Sequence, residues 1–217
     1  MRNLTPAVKN LLLINFLVFA GTYFIGERMY ELFALFPIGS PFFRWWQFVT
    51  HIFMHGNFAH IFFNMWSLFM FGPILERMWG SKKFLLFYFV CGLGAAACHE
   101  LVLYLQVQNL MADGTFQAQQ QAIDILRTPT VGASGAIYGL LLGFGMLYPN
   151  LMLTLIFPPV SLKAKWFVII FAAIELLTGI LGTQDGVAHF AHLGGMLFGL
   201  ILILIWKKKG QMYTEWE

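Results

Sequence analysis

Six long apolar stretches, separated by polar connections, organise the chain. Each is near the roughly 20 residues that a helix needs to cross a bilayer. We predict membrane-spanning helices at about residues 10–25, 58–75, 84–105, 132–148, 166–181 and 187–206. The pattern therefore predicts an all-α polytopic membrane protein with a single domain over residues 1–217.

Composition supports a membrane protein and excludes several other classes. The chain is 59% hydrophobic and 11% charged, with a mean hydropathy of +0.72. Soluble domains carry roughly 25% charged residues. The net charge of +3 is small and gives no reason to expect a nucleic-acid partner. The lipid bilayer is the expected surrounding.

The basic residues predict the orientation of the helices, because lysine and arginine in short loops prefer the cytoplasmic side. With six spans and a cytoplasmic N-terminus, ten basic residues lie inside and three outside. The inside set is Arg2, Lys9, Arg77, Lys82, Lys83, Lys163, Lys165, Lys207, Lys208 and Lys209, and the outside set is Arg28, Arg44 and Arg127. Both termini are therefore expected in the cytoplasm.

Two connections are unusually long. Residues 29–59 are rich in aromatic side chains, which favour the membrane–water boundary, so we expect an ordered, half-embedded loop there. Residues 106–127 form a polar, glutamine-rich segment with some helical content, and its role stays open.

A serine flanked by glycines opens the fourth predicted helix. Gly132, Ser134 and Gly135 lie where the first helical turn leaves backbone N–H groups without intrahelical partners. These donors and the helix dipole suit an anion that forms beside a serine hydroxyl. The alternative is that Gly135 and Gly139 merely form a close-packing face for another membrane helix.

Helices 2, 4 and 6 run in the same direction, so their first residues share one depth in the membrane. This places Ser134 near His192 on helix 6 and near His60 and Asn64, which lie on one face of helix 2. Tyr138, one turn below Ser134, is positioned to pack on the imidazole. No aspartate lies within a predicted span, so we expect a Ser134–His192 dyad rather than a Ser-His-Asp triad.

Glycine pairs favour close approach of the helices that carry this dyad. Helix 4 has Gly135 and Gly139, and helix 6 has Gly195 and Gly199, both in the small-x-x-x-small pattern.

Other polar residues have competing interpretations as a base, a metal ligand or a structural group. His189 competes with His192 as the base, but the Ala-His-x-Gly-Gly context favours His192. His51 and His55 lack a His-Glu-x-x-His pattern, so we expect loop hydrogen bonding and no metal site. Glu175 lies mid-span and is a functional candidate, although we favour a protonated or hydrogen-bonded structural glutamate.

Taken together, these motifs resemble the rhomboid family of intramembrane serine proteases. The resemblance rests on Gly132–Gly135, on Ala191–Gly195, on the block from Thr50 to Asn64 with its three histidines, and on Glu76–Ser81. It implies a six-transmembrane-helix rhomboid-like bundle. One departure is Trp46-Gln47, where many relatives have Trp-Arg, which puts any ion pair of that arginine in doubt.

The resemblance also implies the roles of the residues. Ser134 would be the nucleophile and His192 the general base, while His60, Asn64 and the Ser134 N–H would form the oxyanion hole and Tyr138 would support His192. The implied activity is a serine endopeptidase that needs no cofactor and cuts in or near transmembrane segments of other proteins.

Two further classes compete with this reading. A related pseudoprotease would bind membrane clients without cutting them, but the retention of all four polar site residues argues against it. A small transporter would need charged midplane residues in paired halves, and only Glu175 points that way. We expect a bacterial inner (plasma) membrane location, and the oligomeric state is left open.

Overall fold

The computed structural model describes residues 4–154, 160–181 and 188–211. Within these ranges the helices are α1 (Pro6–Ile25), α2 (Glu27–Phe33), α3 (Gln47–Thr50), α4 (Phe58–Asp113), α5 (Phe116–Arg127), α6 (Ser134–Leu147), α7 (Ala164–Leu181) and α8 (His189–Lys208). A 3₁₀ turn (His51–Phe53) follows α3, and β1 (Met152–Thr154) pairs antiparallel with β2 (Ser161–Lys163). Arg2 and residue 187, the predicted start of the last helix, lie outside the described residues.

The predicted count of six separate spanning helices is not reproduced. Four of the described helices, α1, α4, α7 and α8, are long and apolar enough to cross a membrane, whereas α6 has only 14 residues. The predicted helices 58–75 and 84–105 both belong to the 56-residue α4. Gly80 interrupts α4 with φ of 74°, a left-handed conformation that glycine adopts readily. Phe84 then packs against Gly72, so residues 58–79 (the first arm) lie beside residues 81–113 (the second arm).

The two long connections contain more helix than the sequence indicated. The aromatic connection holds α2 and α3, and the glutamine-rich segment is helical except at its break. There α4 continues to Asp113, Gly114 takes φ of 72°, and the Thr115 hydroxyl accepts a hydrogen bond from the Ala118 N–H at 3.3 Å. A glycine C-cap followed by a threonine N-cap is the physical reason for the break.

Glycines bring α6 and α8 into contact at the centre of the fold. A Cβ on Gly195 would overlap the carbonyl oxygen of Gly135, and one on Gly199 would lie 3.4 Å from the Cα of Gly139. The predicted glycine faces are therefore confirmed as one shared interface. Below it, Trp79, Phe87 and Trp206 form an aromatic cluster with ring centroids 4.8–5.8 Å apart.

Glu76 fastens α1 to the kink in α4. Its carboxylate accepts hydrogen bonds from the N–H groups of Ala7 and Val8, at 2.8 and 2.9 Å, and from the Ser81 hydroxyl at 2.6 Å. The first turn of a helix presents unpaired donors and a positive dipole end, both of which favour a carboxylate.

Gln47 holds the aromatic loop together. Its side chain is fully buried, accepts hydrogen bonds from the N–H groups of Phe36 and Arg44, and donates to the carbonyl oxygens of Glu31 and Phe42. Gln47 thus stands where many relatives have arginine, and the hydrogen bonds of its side-chain amide go to backbone groups. The loop is ordered, as expected, by neutral hydrogen bonds rather than an ion pair.

The glycine interface gives a direct stability test. We expect Gly195→Ala to destabilise the fold by about 1–3 kcal/mol, because the methyl group forces α8 away from α6. Gly21→Ala in α1 is the matched control, since its Cβ would lie 3.6 Å from Met29, an ordinary contact. Thermal unfolding in detergent micelles measures both; equal midpoints for the two variants would contradict the close packing.

Candidate active site

A cavity of about 1100 Å³ opens between α4, α6, α8 and the segment that leads into α6. Its lining includes every site residue predicted from the sequence: Gly132, Ser134, Gly135, Tyr138, His192, His60 and Asn64. The three helices thus bring these residues together, as expected from their shared depth.

Ser134 is the first residue of α6. The segment before it is fixed by two contacts with the aromatic loop: Thr130 exchanges both backbone hydrogen bonds with Leu35, and the Gly132 N–H donates to the His51 carbonyl at 2.9 Å. Gly132 has φ of 128°, which an L side chain rarely adopts. The first turn of α6 therefore begins beside the cavity, and its N–H groups have no intrahelical partners.

His192 lies against Ser134, with Nε2 2.8 Å from Oγ. The Tyr138 ring stacks on the imidazole, with centroids 4.2 Å apart and planes within 7°. Of the two competing histidines, His192 reaches the serine; the contacts recorded for His189 include Glu175 and the Thr178 hydroxyl. The Ser134 hydroxyl therefore has an imidazole nitrogen within hydrogen-bond distance.

His60 and Asn64 face the segment before Ser134. A Cβ on Gly132 would lie 2.7 Å from His60 Nε2 and 3.7 Å from Asn64 Nδ2, so only glycine leaves room for them. Asn57 caps α4 by accepting the His60 N–H at 2.8 Å, which fixes the start of the helix. Asn64 Nδ2 is buried and has no hydrogen-bond acceptor among the described residues. Such a donor is costly unless a ligand uses it.

Glu175 is the residue whose place the sequence reasoning missed. Its Oε2 lies 3.0 Å from His192 Nδ1 and 2.6 Å from His189 Nδ1, and its Oε1 accepts the Tyr138 hydroxyl. The interpretation as a hydrogen-bonded glutamate is confirmed, but its partners belong to the site. The sequence argument against a triad rests on aspartate alone. A mid-span glutamate, in a chain with two histidines one turn apart, is the signal for a third member.

His51 and His55 support the site from the aromatic loop. The His51 Nδ1–H donates to the Gln47 carbonyl at 2.9 Å, and the His55 carbonyl accepts the Tyr30 hydroxyl while its ring packs on His60. The expected loop hydrogen bonding is confirmed for the His51 ring, whereas the ring nitrogens of His55 have no hydrogen-bond partner among the described residues. Burial lowers the pKa of His51 to about 4, and burial together with the nearby His60 lowers the pKa of His55 to about 3.

The arrangement as a whole has the parts of an acyl-transfer site. It combines a hydroxyl with an adjacent base, a ring that supports this base, and unpaired donors around a helix N-terminus.

Comparisons with known proteins agree with this geometry. The family model of the rhomboid domain matches residues 43–209. Rhomboid protease AarA of Providencia stuartii is 31% identical over 167 residues, which cover 73% of this chain and 54% of that protein. Putative rhomboid protease YdcA of Bacillus subtilis (strain 168) is 31% identical over 78% of this chain and 72% of that protein. Rhomboid-like protein 11, chloroplastic, of Arabidopsis thaliana is 27% identical over 91% and 64%.

The buried histidines of the loop predict acid sensitivity of the fold. Unfolded histidines accept a proton near pH 6.5, whereas in the folded protein the pKa of His51 is about 4. Between these values the unfolded state binds more protons, so stability falls as the pH is lowered. We expect a loss of about 2 kcal/mol from His51 between pH 7.5 and 5.0.

His51→Asn retains a donor for the Gln47 carbonyl but removes the titration. The comparison to make is the dependence of the unfolding midpoint on pH in detergent micelles, for wild type and for this variant. A variant with the same pH dependence as wild type would show that His51 is not the sensitive group.

Proposed function

The chain belongs to the rhomboid family, and on this basis we propose that it is an intramembrane serine endopeptidase. It hydrolyses peptide bonds in or near transmembrane segments of other membrane proteins. The observation that carries the proposal is the 2.8 Å contact between Ser134 Oγ and His192 Nε2, made inside a cavity between apolar helices.

The proposed membrane arrangement has six spans: α1, the two arms of α4, α6, α7 and α8. At 1.5 Å per residue the 14 residues of α6 extend about 21 Å, less than the hydrocarbon thickness of about 30 Å. With its C-terminal end at the inner interface, Ser134 lies roughly 9 Å below the outer edge of the hydrocarbon core. The short helix thus supports an active site within the membrane, and the polar cavity supplies a path for water.

The division of basic residues supports cytoplasmic N- and C-termini. A bacterial inner membrane location stays a prediction.

Catalysis begins with proton transfer from Ser134 Oγ to His192 Nε2 as the oxygen attacks the scissile carbonyl carbon. The tetrahedral intermediate collapses when the imidazolium returns this proton to the leaving amine, which leaves an ester on Ser134. Water from the cavity then attacks the ester while His192 takes its proton. The acid product departs as His192 returns this proton to Ser134 Oγ. Tyr138 stacked on His192 keeps the ring plane fixed through both steps.

The negative charge of the intermediate is proposed to lie between Gly132, His60 and Asn64. The Ser134 N–H and the Asn64 amide donate to it, and His60 lies beside them. The unpaired Asn64 donor is already placed before substrate arrives, so little reorganisation is needed.

Substrates are proposed to be transmembrane segments that unwind near the outer face. An intact helix hides its carbonyl groups in hydrogen bonds, whereas the serine needs an accessible carbonyl carbon. Helix-breaking residues near the cleaved bond should therefore favour cutting.

The first test compares wild type with Ser134→Ala in liposomes that contain a single-span test protein. We expect cleavage by wild type and a fall of roughly 10⁶-fold, to background, for the variant. Ser161→Ala is the matched control, since Ser161 lies in the exposed hairpin far along the chain. Cleavage by Ser134→Ala at the wild-type rate would refute the mechanism. If wild type neither cleaves the test protein nor is labelled at Ser134 by a fluorophosphonate, the result would instead favour a client-binding pseudoprotease.

A second test addresses the oxyanion donor. Asn64→Ala should lower kcat by a factor on the order of 10²–10³ with little change in KM, because the donor acts on charge that appears only in the transition state. Asn150→Ala, at an exposed turn, is the control and should retain wild-type kcat. A rise in KM at unchanged kcat would assign Asn64 to substrate binding instead.

A further inference from the structure

Glu175 connects three residues of the site from a helix that otherwise lies at its edge. We propose that Glu175 is a positioning residue that extends the Ser134–His192 pair to a Ser134–His192–Glu175 triad. The inference rests on the proposed function and adds the Glu175 carboxylate to the residues of its site. In this arrangement Nε2 of His192 faces the serine and Nδ1 faces the carboxylate, at 2.8 and 3.0 Å.

The contacts of the carboxylate determine which way His192 points. Oε2 is shared between His192 and His189, and Oε1 is held by the Tyr138 hydroxyl. In this structure Oε2 makes its hydrogen bond to His189, at 2.6 Å, and lies 3.0 Å from His192 Nδ1 in an ion-pair contact without a hydrogen bond. A carboxylate at Nδ1 favours the tautomer with its proton there, which leaves Nε2 free to accept from Ser134.

The position of Glu175 argues against a packing role. Among residues 169–181, all of which the structure describes, only Glu175 is buried. Removing a carboxylate from water costs several kcal/mol, and an apolar residue of similar size would fill the same space without that cost. Its three partners all belong to α6 or α8 next to Ser134, so the compensating interactions lie at the site.

A metal ion bridging Glu175, His189 and His192 is the competing interpretation of this cluster. Nitrogen and oxygen ligands 2.0–2.1 Å from a tetrahedral zinc ion lie about 3.3 Å apart. The observed separations from Oε2, 2.6 and 3.0 Å, are those of shared protons and ion pairs. The cluster therefore fits proton bridging between the three side chains.

During the proposed reaction the carboxylate stays ionised. The Ser134 proton moves to Nε2, His192 becomes an imidazolium with both nitrogens protonated, and Glu175 faces the Nδ1–H. The proton later leaves from Nε2 to the amine of the departing peptide. Glu175 thus stabilises a charge that exists only between these two transfers.

The experiment compares Glu175→Gln and Glu175→Asp with wild type, using the single-span test protein and a fluorophosphonate probe. We expect Glu175→Gln to lower kcat by a factor on the order of 10²–10⁴, to leave KM within about twofold, and to slow labelling of Ser134 similarly. Glu175→Asp should have a kcat at least about tenfold higher than that of Glu175→Gln, because aspartate restores the negative charge. A packing role predicts the opposite order, since glutamine matches glutamate in size and aspartate does not.

Leu177→Ala is the control for disturbance of α7. Leu177 lies two residues from Glu175 and is 60% exposed, and we expect its variant to keep wild-type kcat. The triad would be overturned if Glu175→Gln cleaved at the wild-type rate, or if Glu175→Asp had a lower kcat than Glu175→Gln. Either result would leave the Ser134–His192 mechanism intact. A wild type that neither cleaves nor is labelled would overturn the proposed function and this inference with it.

Discussion

Close packing of α6 against α8 sets the geometry of the site. Gly195 approaches the backbone of Gly135 so nearly that no side chain fits between the helices. Ser134 on α6 and His192 on α8 each lie within one turn of this contact. Their 2.8 Å separation is therefore fixed by backbone packing rather than by the reach of flexible side chains. In the proposed mechanism, a serine and a histidine held in this way need little reorganisation before they react.

The second requirement is that polar groups at membrane depth satisfy one another. Glu175, His189, His192 and Tyr138 form one connected cluster, so that the cost of burying each group is offset by its neighbours. The Asn64 amide lies in the site but outside this cluster, and its Nδ2 has no acceptor among the described residues. An unpaired donor beside this cluster is what a site for a transient anion requires. Outside the site, Gln47 and Glu76 satisfy backbone groups of the connections in the same manner.

The sequence predicted the site better than it predicted the elements. Ser134, His192, His60 and Asn64 were placed together by helix direction alone, because three helices that run the same way present their first turns at one depth. The boundaries of α4 were missed because apolar pattern and charge cannot distinguish a loop from a single glycine with φ of 74°. Glu175 was missed because its role depends on the rotation of α7 about its own axis, which hydropathy does not report when most of the helix faces outward. Gln47 is similar, since a buried amide that bonds to backbone leaves no pattern in the sequence.

The central claim is that Ser134 is a reactive nucleophile at the floor of a water-filled cavity within the membrane. Mass spectrometric mapping of the fluorophosphonate adduct on the protein in liposomes tests this most directly. We expect an adduct on the peptide that carries Ser134 and none on those that carry Ser40, Ser67, Ser81 or Ser161. An adduct on another serine, or equal labelling of several of them, would contradict it.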